Sequence, residues 1–190
     1  MNTRLPFYWS LGIMLCALAF PASPGEEATT ARRYAIPEHG FFELQAPARW
    51  SEIVRRRPGE PGPPTIVFGP TQGTPFEVSV TPAWEEVPGG PAAEERSMRE
   101  RVEKYLEGVK PGAVEKQIDL VKIESPPGPG FYFSATDQAP RSGDYKFLTH
   151  GMFKAGGLAV SFTILTRDGQ AQIVRDALAM LKTAKHIAKQ

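Results

Sequence analysis

Cysteine occurs once in the 190 residues, as Cys16, and it falls inside an N-terminal apolar run that reads as a leader. Once that run is removed the chain has no thiol, which excludes disulfides, a thiolate nucleophile and a thiolate metal site. Stability must then come from packing. A surplus of charge is lacking too: 22 Lys and Arg stand against 21 Asp and Glu, and loss of Arg4 with the leader leaves a formally neutral chain. Nothing in that balance steers it to nucleic acid or to an anionic membrane. Long hydrophobic runs are confined to Leu11–Phe20, well short of the roughly 20 apolar residues that a spanning helix needs.

The chemical signatures of common enzyme classes are also missing. The three histidines are His39 at the start of a strand, His150 inside a strand and His186 in the terminal tail. They show neither i,i+4 nor HExxH spacing, so no metal site is assigned. There is no G-x-S-x-G elbow, and the glycines follow neither the G-x-x-x-x-G-K nor the G-x-G-x-x-G order that cradles a phosphate. No catalytic residue and no cofactor is assigned.

What is present begins with the leader. Arg4, the apolar run and the small residues Ala17-Leu18-Ala19 predict a signal peptide over 1–19, hence export to the periplasm or the extracellular space with no membrane span after cleavage. Leu15 stands where a lipidated Cys16 would need a small residue. Residues 21–33 are small, polar or charged with two prolines, which predicts a flexible tether over 20–33. One domain over 34–185 and a tail over 186–190 complete the chain, since its length holds one core of ordinary size.

Within the domain the clearest pattern is Leu158-Ala-Val-Ser-Phe-Thr-Ile-Leu165, whose large apolar residues fall at every second place and predict a half-buried strand. Asp168 is placed as the N-cap of a following helix, whose face carries Ile173, Val174, Ala177, Leu178, Leu181 and Ala184. Earlier, Phe42, Leu44 and Ala46 alternate up to Pro47, with Trp50 at the next corner. Glu52 to Arg57 and Thr65 to Phe68 predict a hairpin across a Pro/Gly-rich tip, and the run Arg55 to Arg57 reads as a solvated strand edge rather than an anion site. Phe76, Val78 and Val80 give a strand that Pro82 is expected to end. Pro91 opens a helix with Met98, Val102, Tyr105, Leu106 and Val109 on one stripe, and the pairs Glu95 with Arg99 and Glu100 with Lys104 on the wet face. Val114 to Ile123 predicts another strand, and Phe131 to Thr136 with Tyr145 to Phe153 predicts a second hairpin.

This order, strands, a helix, more strands and a terminal helix, resembles the PsbP-like family of exported α/β sandwich proteins. Phe41-Phe-Glu-Leu-Gln-Ala-Pro-Ala-Arg-Trp50 looks like that family's first strand followed by Pro and Trp, and Phe76-Glu-Val-Ser-Val80 like a later sheet strand. The resemblance implies an α+β fold: an antiparallel β-sheet of about six to eight strands with two main helices packed on it. In that family the photosynthetic members are non-catalytic accessory subunits, and a nuclear-transport member binds a small GTPase. None of their functional residues occurs at a matching position, so the resemblance carries fold and not site.

The candidate contact surface is therefore read from the residues. In the loop of the second hairpin, Asp137 and Asp144 are placed opposite one another with Arg141 at the tip. Like charges so placed need a neutralising group, which Arg141, a cation or a basic partner would supply, unless both simply form turns in water. Trp84, among charged and turn-forming neighbours, is either a partner anchor or a staple holding its loop on the sheet. The expected function is an exported non-catalytic accessory or binding module, acting on an unknown protein partner or small ligand. The alternatives are a hydrolase with dispersed catalytic residues and a carrier of a small apolar ligand.

Overall fold

A computed structural model describes residues 28–56, 62–85, 90–124 and 128–189. The expected leader lies outside the described residues. In chain order the elements are β1 (Thr29–Ile36), β2 (Gly40–Pro47), β3 (Trp50–Arg55), β4 (Thr65–Pro70), β5 (Glu77–Trp84), α1 (Pro91–Val109), β6 (Val121–Ile123), β7 (Gly130–Thr136), β8 (Phe147–Ala155), β9 (Leu158–Thr166), α2 (Ala171–Lys182) and β10 (Lys185–Ile187). Seven strands pair antiparallel in the order β3-β4-β5-β9-β8-β7-β6, and a smaller sheet has the order β1-β2-β10. The expected α+β class, antiparallel sheet and two main helices are all present. The strands among the described residues number ten, because a second sheet forms from segments read as tether and tail.

The alternation in β9 sets the layers. Leu158, Val160, Phe162 and Ile164 are each at most 1% exposed. They share one core with Phe42 and Leu44 of the small sheet and with Ala177, Met180 and Leu181 of α2. The opposite face is not simply wet, as a half-buried strand would have it. Ala159 is only 5% exposed there, because α1 lays Met98, Val102 and Leu106 against Phe131, Phe133 and Met152 in a second apolar cluster that also takes in Ala159. One helix therefore covers part of one face of the large sheet, and the other helix with the small sheet covers the other.

Several expectations are corrected. The segment read as tether is in fact strand from Thr29, in register with β2 from Thr29 opposite Pro47 to Ile36 opposite Gly40. Its local polarity offers little to bury, but β2 supplies a complete hydrogen-bonding edge, and Arg33 pairs with Glu43 at 2.7 Å. The tail read from residue 186 forms β10, with His186 opposite Phe42. β5 runs through Pro82, which faces Val160 of β9. Pairing with β4 stops at Val80, and a proline is tolerated where its missing donor faces an unpaired edge. Only Val121–Ile123 of the expected strand from Val114 is a strand. Upstream, Val114 is 59% exposed, and the Glu115 carboxylate takes the Thr136 N–H at 2.9 Å and its hydroxyl at 2.6 Å, which occupies the end of β7 with a side chain. On α1, Glu95 and Arg99 pair not with each other but with Lys122 and Glu103, and Glu94, Arg101 and Glu107 pair with Lys154, Glu85 and Lys110. Asp168 does not cap α2. The N-cap is Gln170 with no side-chain cap bond, and Asp168 pairs with Lys146 at 2.9 Å.

Candidate functional site

The loop chosen from the sequence holds no facing pair of acids. β7 and β8 pair up to Thr136 opposite Phe147, and the Asp137 N–H then donates to the Lys146 carbonyl, so Asp137 meets Lys146 and not Asp144. Each carboxylate serves its own turn: Asp137 Oδ1 accepts the Ala139 N–H at 2.9 Å, and Asp144 Oδ2 accepts the Arg141 N–H at 3.2 Å. These are side chains closing local turns, the ordinary work of aspartate in a loop. The arrangement of Asp137, Arg141 and Asp144 as opposed charges needing neutralisation is thus corrected.

Trp84 ends β5 and is 39% exposed. Its indole lies flat on the His39 imidazole, with ring centroids 4.1 Å apart and planes 4° apart, and meets His186 at 5.8 Å. Beneath it is the β8–β9 turn: a Cβ added to Gly157 would stand 2.3 Å from the indole, so only glycine lets the ring settle there. His186 ties these pieces together. Its Nδ1 accepts the Gly157 N–H at 3.1 Å, and its Nε2 faces the His39 carbonyl at 2.7 Å. Nδ1 must be the acceptor, so the proton sits on Nε2 and donates to His39. The staple reading of Trp84 fits this geometry, since one face of the ring is committed to His39.

His150 is the buried histidine. Its ring stacks on Tyr105 at 3.8 Å, and its Nδ1 lies 2.9 Å from the Thr163 hydroxyl. Burial pushes its pKa down to about 4, so it is neutral at ordinary pH. The hydroxyl of Tyr34 donates to Glu52. Burial first, and then that carboxylate, hold the phenol well above its usual value. Both histidine and tyrosine sit in packed, hydrogen-bonded places. No group of three or more His, Cys, Asp or Glu able to hold a metal occurs among the described residues.

The feature that the sequence did not reveal is an apolar cleft of about 450 Å³ between the C-terminal half of α2 and strands β6 to β9. Tyr132, Phe153 and Phe162 form its sheet side, Leu178 and Leu181 its helix side, and Val121 and Ile123 its outer lip. Alternation in β7 creates it: Phe131 and Phe133 turn to α1, which sends Tyr132 to the opposite face. α2 packs on β9 and β2, so it leaves the outer strands of that face open. Gly151 of β8 stands opposite both Tyr132 and Phe162 in the ladder and lets the two aromatic residues close toward each other. The charged residues at the mouth are Lys122, Glu124 and Lys182. Two apolar side chains converging from a helix and a sheet carry no periodic signal, because the cleft depends on where α2 crosses the sheet.

No protein-family model and no curated protein matches the sequence. Among solved structures, the chain superimposes on the solution structure of cyanobacterial PsbP (CyanoP) from Synechocystis sp. PCC 6803, with a TM-score of 0.55 and 11% sequence identity over 90% of this chain and 99% of that one. The protein has the PsbP-like fold, as the resemblance implied. At this identity the likeness speaks for fold and not for activity. Among the described residues no helix is long and apolar enough to cross a membrane.

Proposed function

We propose that the protein is an exported, non-catalytic binding module that works by holding an apolar group in the cleft beside α2. The observation that carries this reading is the cleft itself: about 450 Å³, within the roughly 300–1,000 Å³ range of small-ligand sites, and walled by aromatic and aliphatic side chains with its charges at the rim. The accessory roles implied by the family resemblance point the same way. A hydrolase is disfavoured by His150, whose ring nitrogen and face are taken up by Thr163 and Tyr105, a packed arrangement without a carboxylate to orient the base. Export rests on the leader signature of residues 1–19.

Native mass spectrometry of the protein purified from its own cell envelope tests the reading. A small molecule or partner retained by the wild type should be lost from Leu178→Trp, which fills the cleft from the helix side. Identical spectra for the two proteins, at equal urea midpoints, would remove the cleft as the contact site.

A further inference from the structure

Two walls of the cleft differ in charge. On the β6 side Lys122 is held by Glu95 at 2.8 Å, and Glu124 adds its field to the same ammonium, so the acid at that lip already has a cation beside it. On the helix side Lys182 makes no hydrogen bond or ion pair among the described residues. It sits in the last turn of α2, where the negative end of the helix dipole favours a cation, and it lines the cleft mouth above Leu178 and Leu181. A long lysine stem lies readily along apolar surface while its ammonium stays at the rim. The site thus offers an apolar, partly aromatic interior and one uncommitted positive charge at its entrance.

We infer that the cleft takes a single-chain amphiphile with an anionic end, its apolar chain against Tyr132, Phe162 and Leu178 and its anion at Lys182. This rests on the cleft being the binding site and adds the chemistry of the occupant. The apolar body supplies most of the affinity by leaving water. The ammonium decides between an acid and its neutral counterpart: Lys182 is exposed at the rim, where it can meet an anionic end while the chain lies inside, and a charge-assisted contact is stronger than one between neutral groups.

The test is titration of the full chain with laurate and with dodecanol, read by displacement of the neutral fluorophore N-phenylnaphthylamine, for wild type, Lys182→Gln, Leu178→Trp and Val121→Trp. Val121 is 46% exposed, so its replacement keeps the fold if Leu178→Trp disturbs it; urea midpoints check both. Wild type should bind laurate more tightly than dodecanol. Lys182→Gln should weaken laurate about threefold, the scale of one solvent-exposed ion pair, and leave dodecanol unchanged, while the folded tryptophan variants weaken both. Equal binding of the two probes, unaffected by Lys182→Gln, overturns the anionic preference and leaves the cleft as a site for apolar groups. Failure of both probes to bind wild type, or undiminished binding by folded tryptophan variants, overturns the inference and the cleft reading together.

Discussion

Phe162 fills the space that Gly151 leaves open: a Cβ built on Gly151 would stand 2.7 Å from the Phe162 ring tip, and 2.5 Å from both the Tyr132 Cβ and the Phe131 carbonyl oxygen. The two residues are direct partners across β8 and β9, at the floor of the cleft. The missing side chain on one strand is what allows the large one on the next.

Gly151→Ala should therefore destabilise the protein, by about 1–3 kcal/mol, the usual cost of overpacking a core. The neighbours include backbone, which cannot swing aside as a flexible side chain would. A lowered urea midpoint is expected, together with weaker binding of apolar probes as the Phe162 ring is displaced. An unchanged midpoint would mean that the sheet opens there without strain.

Phe162→Ala removes a fully buried ring from the middle of the large sheet, where it packs at 6.0 Å from Phe153. Truncation of such a residue costs about 3–5 kcal/mol through lost burial and the cavity left behind. Urea unfolding should show a large fall in midpoint, and a small one would place the centre of the core elsewhere.

His150 predicts the sign of a pH effect. Its folded pKa is pushed down to about 4 by burial, below the unfolded value near 6.5. As pH falls through that interval the unfolded chain takes up a proton that the folded one refuses, so stability is lost progressively between about pH 6.5 and 4. The contribution is at most about 3.5 kcal/mol, and less because solvent reaches part of the ring. Thermal melts across this range should slope downward for wild type and less so for His150→Gln; parallel slopes would show that other groups govern the dependence.

Asp137→Asn with Asp144→Asn should leave the unfolding free energy from urea melts within about 0.5 kcal/mol of wild type, as for ordinary surface changes. Each asparagine keeps an acceptor oxygen for the Ala139 or Arg141 N–H. Loss of a partner from the folded double mutant in pull-downs would return this loop to consideration as a contact surface.

Export predicts that the mature protein begins near Phe20, after Ala17-Leu18-Ala19. N-terminal sequencing of the protein from the envelope fraction checks it. Intact Met1 on a soluble cytoplasmic species would contradict it.

The sequence by itself determined the elements whose signal is local. The period of two in β9 and the apolar stripe of α2 lie within a dozen residues each, and burial in the structure follows them: Val160, Phe162, Ile164, Ala177 and Leu181 are all core. From these and the order of the other segments came the α+β class and the PsbP-like resemblance.

Tertiary structure decided the rest, because it depends on contacts between segments far apart in the chain. β1 and β10 are strands by virtue of β2, which lends one edge to a β1 that is polar up to Tyr34 and Ile36, where it enters the core, and the other to a strand of three residues. The His186 contact with His39 spans 147 positions, and nothing near either residue foretells it. Asp137 and Asp144, placed face to face by counting along a loop, are parted by the turns that they themselves close. The cleft exists because α2 follows β9 and β2 and leaves Tyr132 uncovered, and the crossing of a helix over a sheet is settled by packing volumes on both faces, which no local period records.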